Sequence, residues 1–238
     1  PSLTVTEILE RSSNIGAAKI AERIGAKTLF SYLQKFGFGA KTEIGFLGES
    51  AGILRDHTLW KPIDTAKAGY GYTVSVSGIQ LVTAYSAIAN GGSLMTPHLI
   101  SKIKYTDACE YFVKEILVRE FLKPETIYNL KKMLKSVVEN GTGGGAKIPS
   151  FETAGKTGTS EKLKSNGKYE SSAHIASFCG FVPVDKPRLT ILVVLDEPER
   201  ALFGSVSARI FAEIASKFLT LYPEVNNSKQ VKEINNAN

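Results

Sequence analysis

A lysine and two threonines stand in one row, spaced by a glycine: Lys156-Thr157-Gly158-Thr159, within AGKTGTSEK at 154–162. On a strand, successive side chains alternate faces, which puts Lys156 and Gly158 on one face and Thr157 and Thr159 on the other. The lysine would supply a positive field, and the two hydroxyls could hold a carboxylate. Gly158 would let an extended ligand come close enough to pair as an added strand. Backbone N–H groups on such an edge can face a developing oxyanion. Alone, the row also suits an edge strand whose lysine blocks aggregation. A second polar triplet, Ser12-Ser13-Asn14, offers hydroxyls and an amide; Ser and Asn in that place are equally good helix caps.

The elements that must position these residues follow from periodicity. Thr4-Val5-Thr6-Glu7 reads as a capping box opening a short helix through Ile8 and Leu9 to Arg11. A second helix is expected from Ile15 to Ile24 with Gly25 as its stop. A third carries Leu29, Phe30, Leu33 and Phe36 and ends at Gly37. Residues 38–78 break into Gly, Pro and aromatic clusters, predicting loop with short helical turns. Ile79–Ala89 reads as an apolar helix closed by Asn90-Gly91-Gly92. Residues 99–122 read as a strand-rich excursion, and Pro124 opens a helix that stops at Asn140-Gly141.

Beyond that point the pattern predicts strands at Thr153–Ser160, Ala173–Val182 and Leu189–Leu195, joined by polar hairpin connections at Glu161–Ser172 and Pro183–Arg188. Val206, Ile210, Ile214, Phe218 and Leu221 lie on one stripe of a terminal helix. The expected class is α+β: an antiparallel sheet covered by helices, with an adjoining helical subdomain. Residues 1–223 form the folded part, and the Asn-rich tail at 224–238 reads as disordered.

Composition narrows the function classes. With 43% hydrophobic and 22% charged residues in 238, a sizeable core is expected. The net charge of +6 suits an anionic partner, but the basic residues are scattered without a dense block or interleaved aromatics, which argues against nucleic acid. The longest apolar run, Ile191–Leu195, is far shorter than the ~20 residues that span a bilayer. The chain opens on Pro1 and reads as a piece of something longer. Cys109 and Cys179 show no metal spacing; they are either two separate thiols or a disulfide. His57, His98 and His174 show neither metal nor triad spacing.

Ser-x-Asn followed at a distance by Lys-Thr-Gly is the pair that accompanies a Ser-x-x-Lys nucleophile in penicillin-interacting enzymes. With SSNIGAAKIA, GFLGESAG at 45–52, AGYGYTVSVSGIQLVTAYSAIANGG at 68–92 and GFVPVDKPRLTILVVLDEP at 180–198, the chain resembles the C-terminal part of the transpeptidase domain of a class B penicillin-binding protein. The likeness runs from about Leu3 to Tyr222 and is strongest to the septal, penicillin-binding protein 3-like branch.

The resemblance implies a peptidoglycan D,D-transpeptidase working through an acyl-serine, a covalent target of β-lactams. Ser12 would relay protons and Asn14 hydrogen-bond the substrate. Lys156 would supply positive potential and complete the proton network. Thr157 and Thr159 would engage the substrate carboxylate beside the oxyanion hole, Tyr70 would form part of an aromatic wall, and the loop Gly141–Lys147 would shape the rim. No metal and no organic cofactor are implied. The implied partners are a pentapeptide donor, an amine acceptor, β-lactams and division proteins. The implied location is the outer (periplasmic) face of the cytoplasmic membrane, through an anchor not in this chain.

The chain departs from that pattern at the nucleophile. Only eleven residues precede Ser12, and none forms Ser-x-x-Lys. Two such strings occur elsewhere, at Ser101–Lys104 and Ser165–Lys168. The first falls in an expected strand, where residues three apart point to opposite faces; the second falls in a hairpin loop. The expectation is therefore that the nucleophilic serine and the first strands of the sheet lie upstream of Pro1, and that this piece alone does not acylate. Two alternatives stand beside the transpeptidase: a serine β-lactamase, for which no deacylation base is evident, and a non-catalytic β-lactam sensor or divisome scaffold. Asp196-Glu197, at a strand exit, reads as solvated, and Glu49 as a turn cap.

Overall fold

The computed structural model describes residues 2–105, 110–163, 169–198 and 204–223. These resolve into two compact units: the described residues among 2–8 and 13–129, and those among 9–12 and 130–223.

The first unit is mostly helical. Helix α1 (Val5–Glu10) is opened by the expected box: Thr4 N donates to Glu7 Oε2 at 2.8 Å, and Glu7 N to Thr4 Oγ1 at 3.2 Å. Helix α2 (Asn14–Ile24) stops at Gly25, whose φ of +80° lies in the left-handed region. Helix α3 (Ala26–Lys35) follows at once. Strand β1 (Ile53–Leu54) and helix α4 (Pro62–Gly69) fall in the segment expected as loop with helical turns. Pro62 fixes the first turn of α4, and small residues let α4 pack tightly on α2: a Cβ on Gly69 would lie 2.6 Å from Ala21 Cβ.

Strand β2 (Val74–Ser75) pairs with β1, and helix α5 (Gly78–Ala89) begins with a Ser77/Gln80 capping box. Gln80 is buried, and its Nε2 donates to the carbonyls of Ala40 and Ala51 at 2.7 and 2.9 Å, pinning the preceding loop. The strand-rich excursion expected over 99–122 holds β4 (Lys102–Lys104), β5 (Glu110–Phe112) and β6 (Leu117–Glu120). β4 pairs with β5; β6 pairs with β3 (Ser93–Met95), a strand the pattern did not single out.

The second unit holds the sheet. The helix α6 (Pro124–Asn140) enters it from Leu130 onward. Strands β7 (Ala154–Leu163), β8 (Tyr169–Val182) and β9 (Leu189–Asp196) form an antiparallel sheet in the order β7-β8-β9. The first hairpin reaches further than expected: β7 continues to Leu163 and β8 starts at Tyr169, with the register shifting between Glu161 and Lys162. Helix α7 (Ser205–Leu221) lays its apolar stripe on this sheet. Phe178, Val182 and Val193 meet Ala208, Phe211, Ala215 and Leu219, with Val138 of α6 and Ala146 completing the core. Phe178 and Phe211 meet edge to face at 4.9 Å, a contact favoured by the ring quadrupoles.

Candidate active site

The site is built where β7 passes the end of α1. Helix α1 closes with two bonds: Ser12 N donates to Leu9 O at 3.2 Å, and Ser13 N to Ile8 O at 2.9 Å. This is the Schellman pattern, whose left-handed position usually belongs to glycine. Ser12 occupies it with φ +52°. A side chain held in that region costs of order 1–3 kcal/mol and persists where its surroundings use it. Ser13 takes the capping role instead: its Oγ accepts from Gly16 N at 3.1 Å and opens α2. The capping reading of the Ser-Ser-Asn triplet thus falls on Ser13.

Lys156 Nζ donates to Ser12 Oγ at 3.0 Å, to Thr157 O at 3.1 Å and to Thr157 Oγ1 at 3.2 Å. Those three acceptors fill the three donors of an ammonium. Burial disfavours the charged form and lowers the Lys156 pKa from its ordinary 10.5 to about 8. Thr157 Oγ1 also shares a hydrogen bond with Thr142 Oγ1 at 2.9 Å.

Register clarifies the faces. Lys156 lies opposite Cys179, and Thr157 opposite Phe178, so the expected alternation holds where side chains leave the strand. It does not hold at the reacting ends, because the lysine's flexible stem curls round to the threonine. A Cβ on Gly158 would stand 2.5 Å from Ser177 Oγ and 3.9 Å from Ser177 Cβ, so a side chain there would have to turn the Ser177 hydroxyl aside. Thr159, two residues beyond Thr157, is exposed.

Asn14 and Tyr70 belong to the first unit. Asn14 is exposed in the first turn of α2, and Tyr70 closes α4 with its ring 5.7 Å from that of Tyr72. Of the loop Gly141–Lys147, Thr142 reaches the lysine cluster; Gly144–Ala146 form a 3-10 turn, with Ala146 in the core under α7. Neither Thr142 nor Glu10, whose carbonyl accepts from Thr142 N at 3.0 Å, was singled out from the sequence. The signal for Thr142 was its place just after the helix stop at Asn140-Gly141.

Several other polar candidates have structural partners. Asp196 and Glu197 are solvent-exposed, as expected, and both pair with Lys162, at 3.0 and 2.6 Å. Glu49 accepts from Thr42 N and Oγ1 at 2.6 and 2.5 Å, closing a loop with Phe46 and Leu47 at its exposed tip. His57 packs edge-on against Phe30. Cys179 is buried; Cys109 and the string Ser165–Lys168 lie outside the described residues. Ser101 precedes β4, and Lys104 ends it in extended chain.

The penicillin binding protein transpeptidase domain family matches residues 1–216. Stage V sporulation protein D of Bacillus subtilis is 39% identical over 216 residues, 89% of this chain and 33% of that protein. The probable peptidoglycan D,D-transpeptidase PenA of Neisseria meningitidis is 35% identical over 210 residues, 87% of this chain and 34% of that protein. Penicillin binding protein 3 from Mycobacterium tuberculosis, solved with aztreonam, superposes with a TM-score of 0.83 at 29% identity, over 92% of this chain and 52% of that one. The transpeptidase domain of penicillin-binding protein 3 from Burkholderia pseudomallei gives 0.81 at 35% identity, over 92% of this chain and 64% of that one. The chain spans about a third of the length of these curated relatives. Its helices and antiparallel sheet form the penicillin-binding transpeptidase fold, and the chain belongs to the penicillin-binding protein transpeptidase family, on its class B branch.

Proposed function

We propose that the protein containing this chain is a serine-type peptidoglycan D,D-transpeptidase of the septal kind, and that these 238 residues carry its lysine, serine and threonine cluster. The observation that supports this best is the Lys156 Nζ to Ser12 Oγ bond of 3.0 Å, made by a lysine whose pKa burial has lowered to about 8. A lysine titrating there can give up and take back a proton near neutral pH, which an ordinary lysine does poorly.

In this reading a serine upstream of Pro1, in a Ser-x-x-Lys pair, attacks the carbonyl of the penultimate D-Ala. An ester forms, the amide bond breaks, and the departing D-Ala amine takes a proton relayed through Ser12 and Lys156. The amine of a neighbouring stem then displaces the serine. Asn14 binds the substrate amide and Tyr70 walls the cleft. Thr157 and Thr159 hold the substrate carboxylate on an edge whose Gly158 admits extended chain. The same acylation captures β-lactams. Division proteins are the proposed partners. The proposed site of action is the outer face of the cytoplasmic membrane, reached through an anchor elsewhere in the protein.

The test is mass spectrometry of the full protein, its Lys156→Ala variant and this fragment, each incubated with penicillin. The expected adduct appears on the full protein alone. An adduct on the fragment would place the nucleophile within these residues. Normal labelling of Lys156→Ala would remove the lysine from the mechanism, and no adduct on the full protein would favour the scaffold alternative.

A further inference from the structure

The contacts around Lys156 close into a ring within the second unit. Lys156 joins Ser12 and Thr157. Thr157 joins Thr142 at 2.9 Å, and Thr142 N donates to Glu10 O at 3.0 Å. Glu10 lies two residues before Ser12, at the end of α1, where helix carbonyls lack intrahelical partners. Its carboxylate is fixed as well: Ser136 Oγ donates to Glu10 Oε1, and Asn140 Nδ2 donates to Ser136 Oγ at 3.1 Å. The fit leaves no slack, because a Cβ on Gly141 would stand 2.5 Å from Glu10 O and 2.7 Å from Glu10 Cα. The last turn of α6 and the residues after it therefore grip the end of α1 by a side chain, a backbone bond and direct packing.

Resting on the acyl-transfer reading above, we infer that Thr142 and Glu10 are positioning residues for the Ser12–Lys156 pair: Thr142 ties the left-handed turn of Ser12 to Thr157, and Glu10 anchors that turn to α6. Thr142 touches both sides of the pair and neither of its proton-carrying atoms. Thr157 Oγ1 has two acceptor sites: Lys156 donates into one and Thr142 Oγ1 can donate into the other, which sets the Thr157 hydroxyl from both sides and leaves its proton for the substrate carboxylate. Without Thr142 Oγ1, Thr157 can rotate. Lys156 then loses one of the acceptors that aim it at Ser12. A misplacement of that kind slows the chemical step more than it weakens ligand capture.

The experiment uses the full-length protein and saturating acylation by a fluorescent penicillin, which separates the acylation rate constant from the dissociation constant. Thr142→Val keeps the side-chain shape and removes the hydroxyl. It should slow acylation about 3- to 10-fold, the effect of one hydrogen bond, with the dissociation constant unchanged. Thr142→Ser restores the hydroxyl and should stay within about twofold of wild type. Glu10→Ala should slow acylation in the same direction, while Glu10→Gln, which still accepts from Ser136, should not. Glu139→Gln, on the same helix end but bound to Lys135, serves as the neutral control.

Acylation by Thr142→Val at the wild-type rate overturns the inference. So does a Thr142→Ser variant as slow as Thr142→Val, or a defect confined to the dissociation constant. Lys156→Ala separates the two levels. If it acylates normally, or if wild type does not acylate, the acyl-transfer reading falls and this one with it. If wild type acylates, Lys156→Ala does not, and Thr142→Val matches wild type, the positioning role alone is wrong.

Discussion

The lowered pKa of Lys156 makes the proposed activity fall with rising pH in a range where an ordinary lysine would hold it level. Burial brings the group from 10.5 to about 8, a change of about 300-fold in acid dissociation. In the proposed site the ammonium supplies the positive potential that draws in the carboxylate of stem peptide or penicillin, which Thr157 and Thr159 hold. The charge is present below pH 8 and lost above it. About 90% of Lys156 is charged at pH 7 and about 10% at pH 9, so acylation at low penicillin should drop about ninefold between them. A lysine at its ordinary value would lose only about 3% of its charge over the same span. The assay is the second-order rate of acylation of the full-length protein across pH 6 to 9.5, repeated with Lys156→Arg. Arginine stays charged throughout, so the drop should vanish in that variant even where its absolute rate is lower. A flat wild-type profile to pH 9, or an equal drop in Lys156→Arg, would refute the assignment of the titration to this lysine.

Gly155, one residue before the lysine, has no room for a side chain: a Cβ would lie 2.4 Å from Phe178 Cζ and 2.7 Å from Cys179 O. Gly155→Ala should therefore destabilise the second unit by about 1–3 kcal/mol, measured by chemical denaturation; a loss too small to resolve would mean that β7 yields there at no cost. Glu49 closes its loop as a carboxylate, and the two Thr42 donors, led by the hydroxyl, hold its pKa below the usual 4.5. Its contribution is thus present above the ordinary glutamate pKa and lost as pH falls through the lower folded value. Glu49→Ala should open the Phe46-Leu47 tip to chymotrypsin at neutral pH, and unchanged cleavage there would show that the loop is held by other contacts.

The elements that announce themselves locally were legible in the sequence. Thr4 and Glu7 cap one another, Gly25 stops α2, Pro124 opens α6, and the apolar run of β9 forms a strand, because each signal acts through residues within one or two turns; the run is not buried throughout, since Val193 faces the core while Val194 is exposed. The first hairpin was read short. Residues 161–172 are polar, and polarity marks a loop only when no partner strand competes for the backbone; here β7 and β8 continue to pair through an irregularity. Strand β3 was missed for the same reason: a three-residue strand is defined by its partner β6, 27 residues away between Ser93 and Glu120, not by its own pattern.

The site shows where sequence order stops carrying information. Lys156, Thr157 and Ser12 were found by type and spacing, but their meeting joins residues 144 apart in sequence. Two of the residues holding them, Glu10 and Thr142, look ordinary in the chain. Glu10 is an acid in the last turn of a helix, where the macrodipole disfavours it. That misplacement was a usable signal, since an unfavourable charge needs a reason, and here the reason is Ser136. Ser12 carried a signal of the same kind. A helix closing through a left-handed position calls for glycine, and a serine there gives up local stability for a hydroxyl at a chosen point. Local rules fail at both positions, and both failures lie on the ring that closes around Lys156. The cost at Ser12 also explains why one contact is not enough to hold it. Released from Glu10 and Thr142, the turn could relax toward ordinary backbone angles, and Ser12 Oγ would leave the lysine.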